Sequence, residues 1–381
     1  MLLKIRGECE ILGVKFTNTF ILYNNNKHLP IEIGKDSIIT LKKNSRYVFP
    51  KRNTEQDQSK IGTKIWGNII KSILKSNRKR IIIIGPSDVG KSTLTLFLAN
   101  KLISKGLKPL IIDSDIGQGE LSPPTCIGAA IISKQTIDLA EVNPNYINFI
   151  GNIQPIGYES RIINCIKRSY DKLSKYSNIT LINTDGYIGN NKNNYKIDLI
   201  EKIEPDCIIC MGESDQINDF FNTIKEKYLN NSNIQILRGR SPYKVIQKSV
   251  YDRREKRLLK YTKLFKMFLN KVIISKKKLN AIYYKDKFFL INMGSSIDKV
   301  NKVETNSKRI EDLINNKIFI QDRFVGLSLE ADYEKIIGFG TLKDFNNDFF
   351  SVQTSINKFD FIFISDIKLY YNNSPLYYYK I

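Results

Sequence analysis

The sequence predicts an α/β domain, with a mostly parallel sheet and helices on both faces, flanked by small β-rich domains at both ends. From Ile81 onward, short apolar strands alternate with helix-length segments, a pattern typical of a parallel sheet covered by helices. Residues 1–75 contain short apolar runs broken by Asn and Gly, and the β pattern returns over 272–381. We therefore expect three domains, over 1–75, 76–271 and 272–381.

The net charge of the chain indicates a class of partner. Its 381 residues include 60 Lys and Arg against 38 Asp and Glu, a formal net charge of +22 at pH 7. Such an excess favours a polyanion such as nucleic acid, although a general Lys-rich bias would also produce it. No apolar run approaches the roughly twenty residues of a membrane span, and the N-terminus has no signal-peptide pattern. We expect a cytoplasmic protein with no membrane association.

The segment "GPSDVGKST" follows the first apolar strand of the α/β region and precedes an amphipathic helix. It fits the pattern G-x-x-x-x-G-K-[ST], in which backbone N–H groups and the positive end of the helix bind phosphate oxygens. We expect Lys91 to reach the β- and γ-phosphates, and the Ser92 hydroxyl to bind Mg²⁺. The predicted phosphate-binding residues are Gly85, Pro86, Ser87, Asp88, Val89, Gly90, Lys91, Ser92 and Thr93.

Two aspartates end the next apolar strand, in the run "PLIIDSDIGQGE". Asp113 and Asp115 lie at its carboxyl end, where an open α/β sheet gathers its ligands. One carboxylate can hold the water shell of a metal, and another can accept a proton from an attacking hydroxyl. The alternative is that one of them, more readily Asp113, caps the following turn.

A third segment, "KSVYDRREKRLLKYTKLF", is strongly basic. Between Arg238 and Lys278 the chain has fifteen basic and two acidic residues. Arg253 and Arg257 are four residues apart, so they share one face of the predicted helix. A charge run usually marks a solvated face, but an arginine delivered by a mobile helix can stabilise a transferring phosphoryl group. We therefore expect an Arg-rich lid over about 241–270.

These segments, with "FIGNIQPIGY" and "INTDGYIGN", occur in the order found in the polyribonucleotide 5′-hydroxyl-kinase family, which the chain resembles. This is the family of the RNA-kinase subunit of the mRNA cleavage factor, and it has archaeal single-chain members. The resemblance covers about Ile81 to Phe268 and extends more weakly into both flanks. It implies a P-loop kinase domain that uses ATP and Mg²⁺ and phosphorylates RNA.

The resemblance also implies roles for individual residues. Asp115 would activate the RNA 5′-hydroxyl, and Arg257 would face the transferring phosphate. Lys91 and Ser92 would hold the nucleotide and its metal, with Asp113 a further candidate for the metal. The implied RNA-binding residues are Gln118, Thr184, Gly186, Tyr187 and Lys248, of which Thr184, Gly186 and Tyr187 fall on the family's Thr-x-Gly-Trp clasp. We also expect Arg253, from the basic cluster of the predicted helix, to bind RNA.

Three places depart from the family pattern. Tyr187 stands where tryptophan is frequent, and it offers less area for stacking on a base. Lys248 stands where the family often has arginine, so the charge is kept and the bidentate geometry is lost. The loop "SPPTCIG" replaces the usual Pro-Gly. None of these changes removes a group that the chemistry requires, so we expect an active enzyme.

We expect an ATP-dependent polynucleotide 5′-hydroxyl kinase that transfers the γ-phosphate of ATP to the 5′-OH of RNA, with DNA left open as a substrate. Partner proteins of an RNA-processing complex are compatible with the resemblance. Two alternatives remain, an ATP-binding scaffold subunit whose activity has lapsed and a small-molecule P-loop phosphotransferase. The kinase hypothesis requires Lys91, Asp115 and Arg257 to converge around one phosphorus atom.

Overall fold

The computed structural model describes most of the chain, and the chain divides into two compact units. The first unit comprises Met1–Ile112, Ala130–Asn143 and Tyr170–Gln247, and the second comprises Asp113–Ala129, Pro144–Ser169 and Lys248–Ile381. The described residues are 2–22, 30–41, 63–188, 195–228, 233–240, 247–268, 270–284, 287–290, 321–329, 332–346, 348–371 and 376–380.

Six short strands open the first unit and form two three-stranded sheets. They are β1 (Leu2–Arg6), β2 (Glu8–Ile11), β3 (Val14–Thr17), β4 (Phe20–Leu22), β5 (Ile31–Ile33) and β6 (Ile38–Leu41). One sheet has the order β4-β1-β6 and the other the order β3-β2-β5, with antiparallel pairing throughout. The expected β-rich N-terminal region is confirmed.

A parallel sheet follows in the same unit. Its strands are β7 (Arg80–Ile84), β8 (Pro109–Asp113, whose last residue belongs to the second unit), β11 (Ile179–Asn183), β12 (Cys207–Met211) and β13 (Gln235–Gly239). Their order is β8-β11-β7-β12-β13, and β7 pairs in parallel with both β11 and β12. The helices of this unit are α1 (Thr63–Lys75), α2 (Lys91–Ile103), α4 (Tyr195–Ile203) and α5 (Asp215–Lys227).

The run "IIII" explains the position of β7 at the centre of this sheet. Ile81, Ile82, Ile83 and Ile84 are fully buried. A continuous β-branched run suits a parallel strand that is covered on both faces. Helix α2 packs against β7 and β11, and α5 packs against β12. The carboxyl ends of these parallel strands therefore lie at one edge of the sheet, where ligands of such folds bind.

The second unit contains most of strand β9 (Cys126–Ile131), strand β10 (Tyr146–Phe149) and most of helix α3 (Glu159–Leu173), and the two strands pair antiparallel. After helix α6 (Val250–Phe265) come eight strands, β14 (Asn270–Ser275), β15 (Ala281–Tyr284), β16 (Lys287–Leu290), β17 (Arg323–Ser328), β18 (Gly338–Phe345), β19 (Phe349–Thr354), β20 (Phe361–Tyr371) and β21 (Leu376–Lys380). They form one sheet of order β14-β19-β18-β17-β20-β15-β16, with β21 paired to β20.

The expected fold class, an α/β domain with a mostly parallel sheet between β-rich flanking regions, is confirmed by these elements. The three domain boundaries stay a prediction. Helix α6 occupies most of the expected lid, whose residues 241–246 and 269 lie outside the described residues. Among the residues that the structure describes, no helix is long and apolar enough to cross a membrane.

Candidate active site

The phosphate-binding loop joins β7 to α2 and has a backbone that few residues adopt. Gly90, which precedes the first residue of α2, has φ 90°, and Asp88 has φ 61°. A Cβ at Gly85 would lie 2.4 Å from the backbone oxygen of Met211, so only glycine fits there. The loop therefore ends on the N-terminus of α2, where backbone N–H groups without helical partners attract anions.

Lys91, the first residue of α2, folds back over this loop. Its side chain is almost fully buried, and Nζ donates a hydrogen bond to the backbone oxygen of Pro86 at 2.7 Å. The ammonium group therefore lies over the loop that the sequence predicts to hold phosphate. The pattern of Gly85 to Thr93 is thus matched by strand, loop and helix in the expected order.

Asn183 is a residue of this site that the sequence reasoning missed. It ends β11, it is buried, and its Nδ2 donates to Ser92 Oγ at 3.1 Å. The parallel register pairs Asn183 with Ile83 of β7, which explains why its side chain reaches the first turn of α2. A polar residue ending the apolar run "ITLIN" was the available signal.

The residues around Ser92 fit a magnesium ion that arrives with a nucleotide. Mg²⁺ is usually bound by one or two protein oxygens, by phosphate oxygens and by several waters. Ser92 supplies one hydroxyl oxygen at the predicted place. Within the described ranges, no group of three or more His, Cys, Asp and Glu side chains could hold a metal. The metal would therefore depend on the phosphates as well as on the protein.

The predicted RNA clasp follows Asn183 directly. Thr184 is buried, and its Oγ1 donates to the backbone oxygen of Ile83 at 2.9 Å. A Cβ at Gly186 would lie 2.2 Å from Ser87 Oγ and 2.6 Å from Ser87 N, so the clasp is in contact with the phosphate-binding loop. The ring of Tyr187 stacks on that of Tyr195, with centroids 6.1 Å apart and an interplanar angle of 26°.

Asp185, the variable position of the clasp, was also missed. Its carboxylate accepts hydrogen bonds from the backbone N–H of Tyr187 at 2.8 Å and from the Tyr195 hydroxyl at 2.8 Å. It also forms an ion pair with Lys196, whose Nζ lies 3.0 Å from Oδ2. Both charged side chains are buried. Tyr195 and Lys196 open α4, ten residues further along the chain, so nothing local in the sequence connected them to the clasp.

In the second unit, Asp113 and Asp115 hold the turn that follows β8. Asp113 Oδ2 accepts from the backbone N–H of Glu120 at 2.5 Å and of Leu121 at 3.3 Å. Asp115 Oδ1 accepts from the backbone N–H of Gly117 at 3.1 Å and of Gln118 at 2.8 Å. Asp113 is buried whereas Asp115 is partly exposed. Asp113 thus has the bonds of a turn cap, and its role at a metal stays a prediction.

The lid helix α6 is attached to this turn by hydrogen bonds that the sequence did not reveal. Gln118 Nε2 donates to the backbone oxygen of Arg253 at 3.2 Å, and Lys256 Nζ donates to the backbone oxygen of Gln118 at 3.1 Å. Lys260 Nζ donates to the backbone oxygens of Gly119 and Ser122. Lysines that were counted as part of a polyanion-binding cluster therefore bind carbonyl groups of the protein.

The two ends of α6 differ in their surroundings. At its start, Ser249 and Asp252 form a reciprocal capping box, and the hydrogen bonds from Ser249 lower the pKa of the Asp252 carboxyl. Toward its end, Tyr261 is fully buried in an aromatic cluster with the C-terminal sheet, and Leu258 packs against that cluster. The second half of the helix is therefore held by apolar packing, whereas its first half is joined to the turn by hydrogen bonds.

The predicted lid residue Arg257 and the predicted RNA-binding residues Lys248 and Arg253 lie on or before the first half of α6. Arg253 and Arg257 are partly exposed, and Lys248 is exposed. Of the predicted catalytic residues, the second unit holds Asp115 and Arg257 and the first unit holds Lys91. Their convergence around one phosphorus atom stays a prediction.

The segment from the phosphate loop to the lid also matches a known family. Residues 85–267 match the model of the P-loop of the mRNA cleavage and polyadenylation factor CLP1. This segment is similar to the CLP1 P-loop family. The expected resemblance is thus confirmed over the residues that carry the loop, the clasp and the lid helix.

Curated relatives carry the match beyond this CLP1 segment. The chain is 30% identical over 233 residues to "Polyribonucleotide 5′-hydroxyl-kinase" of Pyrococcus furiosus, covering 61% of this chain and 62% of the relative. It is 29% identical over 324 residues to the protein of the same name from Methanocaldococcus jannaschii, covering 78% of this chain and 88% of the relative. The chain therefore spans less than two thirds of the first relative and most of the second.

Solved structures agree with the CLP1 match at the level of the fold. A structure of Clp1p in complex with Pcf11p covers 96% of this chain and 93% of its own, with a TM-score of 0.64 at 14% sequence identity. A second structure of the same pair has a TM-score of 0.65 over the same shares. At this level of identity, the similarity concerns the fold alone.

Proposed function

We propose that the chain is an ATP-dependent polynucleotide 5′-hydroxyl kinase that transfers the γ-phosphate of ATP to the 5′-OH of RNA. The contact of Gly186 with Ser87 carries this proposal, because it joins the clasp to the phosphate-binding loop within one unit. A P-loop that only hydrolyses ATP needs no such acceptor clasp. The names of the curated relatives agree with the proposal.

The proposed reaction is an in-line transfer. The 5′-hydroxyl of the RNA loses its proton to the Asp115 carboxylate while its oxygen bonds to the γ-phosphorus, and the bond to the β-phosphate oxygen breaks to release ADP. Lys91 and Arg257 neutralise charge that develops on the phosphoryl oxygens. Mg²⁺ would offset the phosphate charge from the side of Ser92. The proposal requires Asp115 and Arg257 to act on the phosphate held by the loop.

A cavity of about 430 Å³ in the first unit is suited to the base of ATP. Its lining residues are Glu213, Asn218, Phe221, Asn222, Arg238 and Arg240. The Arg238 guanidinium lies 5.1 Å from the ring centroid of Phe221 and donates to the Gly212 oxygen at 2.7 Å. Gly212 has φ 106°, and a Cβ there would lie 3.1 Å from Val89 of the phosphate-binding loop. Arg238 of the cavity wall is therefore bonded to a residue that adjoins the loop, and the cavity offers amides and a flat ring to a base.

The net charge supports RNA rather than a small molecule as the acceptor. A chain of net charge +22 attracts polyphosphate, and neutralised phosphates release counterions, so binding should weaken steeply with added salt. A partner protein from an RNA-processing complex and a cytoplasmic location complete the proposal.

A 5′-labelling assay with γ-labelled ATP tests this function. Matched RNA and DNA oligonucleotides with 5′-OH or 5′-phosphate ends are compared, with Lys91→Ala as the inactive variant and Lys105→Ala, an exposed lysine just after α2, as the control. We expect label only on 5′-OH ends, lost in Lys91→Ala and kept in the control. Binding of ATP without any transfer would favour the scaffold alternative, and label on Lys91→Ala product would overturn the site.

A further inference from the structure

We propose that Asp185 is a positioning residue that fixes Tyr187 as a stacking platform for the nucleobase at the RNA 5′ end. This inference rests on the proposed function and deepens it, because it adds Asp185, Tyr195 and Lys196 to the acceptor side of the site. None of these three residues belongs to the fixed positions of the clasp.

A single carboxylate bonds to both tyrosines of the stack. Asp185 Oδ1 accepts the backbone N–H of Tyr187, two residues ahead, and Oδ2 accepts the hydroxyl of Tyr195. The rings of Tyr187 and Tyr195 then lie face to face at 6.1 Å. Because one side chain bonds both to the backbone of Tyr187 and to the hydroxyl of Tyr195, we expect its replacement to loosen the alignment of the two rings.

The burial of the charges shows that this arrangement is costly to disturb. The side chains of Lys196 and Asp185 are 0% and 5% exposed. Removing one member of a buried pair leaves the other charge uncompensated, whereas apolar replacement of both members is often neutral. A buried ion pair is therefore weak evidence for a role in stability. Its location beside the clasp is better explained by a role in positioning Tyr187.

The exposures of the two rings differ in the way that a platform requires. Tyr195 is fully buried and Tyr187 is partly exposed. Tyr195 stacks on Tyr187, and the exposed part of Tyr187 is the surface that we expect a base to contact. Base–aromatic stacking tolerates any sequence, because every base has a π-face. The smaller area of tyrosine relative to tryptophan is thus offset by a ring that is held in place.

Gly186, which lies between Asp185 and Tyr187, joins the platform to the phosphate-binding loop. Its missing side chain lets the backbone touch Ser87. A base stacked on Tyr187 would therefore lie next to the residue that contacts the loop. The ribose 5′-OH of the terminal nucleotide is the group that such a platform would place.

Steady-state kinetics of Asp185→Asn separates positioning from a general loss of folding. Asn keeps the size of the side chain and removes the charge. We expect the KM for 5′-OH RNA to rise about tenfold, equivalent to about 1.4 kcal/mol, while the KM for ATP changes less than about twofold. Tyr195→Phe, which removes one hydroxyl, should give a smaller rise, and Asp219→Asn, an exposed carboxyl on α5, should leave both values unchanged. Equal changes in both KM values would overturn the proposal.

A fluorescent variant tests the platform independently of turnover. Tyr187→Trp adds an indole at the stacking position, while the native Trp66 is fully buried and serves as the constant background. A 5′-OH RNA oligonucleotide should quench the new fluorescence. The affinity for RNA obtained from this quenching should fall about tenfold when Asp185→Asn is added. If the protein transfers no phosphate, the proposed function fails, yet the quenching still decides the role of Asp185.

The double variant Asp185→Asn/Lys196→Met separates the loss of positioning from a loss of stability. It removes both buried charges, so its thermal midpoint should exceed that of Asp185→Asn. We expect its KM for RNA to stay raised, because the hydroxyl of Tyr195 no longer meets a carboxylate. Recovery of both the thermal midpoint and the RNA KM to wild-type values would mean that the pair has a structural role only, and would overturn the proposal.

Discussion

Asn183 Nδ2 lies 3.1 Å from Ser92 Oγ, so the end of one strand holds the hydroxyl that is predicted to bind Mg²⁺. We expect Asn183→Leu, which keeps the volume and removes the amide, to raise the Mg²⁺ concentration needed for half-maximal activity about fivefold, since one hydrogen bond of about 1 kcal/mol is lost. The KM for RNA should not change. A magnesium titration of phosphoryl transfer measures the effect, and an unchanged titration curve would show that Asn183 has no part in ordering Ser92.

The contact between Gly186 and Ser87 predicts that Gly186→Ala weakens the binding of both substrates. A Cβ placed 2.6 Å from a backbone nitrogen must displace the loop or the clasp. We expect the affinity for ATP to fall about tenfold or more, measured by calorimetry. Gly67→Ala is the matched control, because Gly67 lies in α1 with nothing within 4 Å of its added Cβ. It should stabilise the protein by about 0.5–1 kcal/mol through helix propensity.

The lid helix predicts a change in kcat rather than in binding. Arg257→Ala should lower kcat by roughly 10³-fold, the effect of removing an arginine that stabilises a phosphoryl-transfer transition state. The KM values should change little, since binding relies on other groups. Lys263→Ala, an exposed basic residue of the same helix, should retain full activity. If both variants lose the same share of activity, the effect of Arg257 is a general effect of charge.

Buried cysteines predict how the protein responds to thiol reagents and to alkaline pH. The five cysteines are free and buried, and burial raises the pKa of Cys207 and of Cys210 to about 12. At pH 8 a native thiolate is therefore scarce, and Ellman's reagent should react with the five thiols only after unfolding in guanidinium chloride. Rapid reaction of more than one thiol in the native protein would contradict this placement.

The raised pKa values of Cys207 and Cys210 also predict how the stability of the fold changes with pH. A thiol with a raised pKa in the folded state binds its proton more tightly than the unfolded chain does, so its contribution is present below pH 9 and is lost as pH rises toward 12. We expect the midpoint of chemical denaturation to fall over this range. An unchanged midpoint between pH 9 and 11 would show that Cys207 and Cys210 are not buried as thiols.

Sequence reasoning reached the parts of the site that depend on local pattern. The strand, the loop and the helix around Lys91 follow from contiguous residues, because a P-loop is a local structure. The role of Asn183 could not be predicted in this way, since its contact with Ser92 depends on the register of β11 against β7 and spans 91 residues of sequence. Strand register is a tertiary property that an apolar run does not encode.

Charge counting does not separate the roles of the basic residues on α6. Lys256 and Lys260 were counted with the cluster that attracts a polyanion, yet both donate to backbone oxygens of the turn after β8. A lysine that satisfies carbonyl groups cannot be told from one that meets phosphate by sequence alone, because composition carries no direction. The sequence likewise does not reveal the partners of Asp185, because Tyr195 and Lys196 lie on α4, ten and eleven residues further along the chain.

The hydrogen bond from Lys91 to the Pro86 oxygen has a consequence for what the loop admits. A ligand must take the ammonium away from a protein carbonyl, and exchanging one neutral acceptor for another gains almost nothing. Only an ionised oxygen makes the exchange favourable, because a charge-assisted hydrogen bond is roughly twice as strong as a neutral one. The hydrogen bond between Lys91 and Pro86 thus favours anionic ligands. A sugar or a base without an anionic group would gain almost no free energy by displacing it.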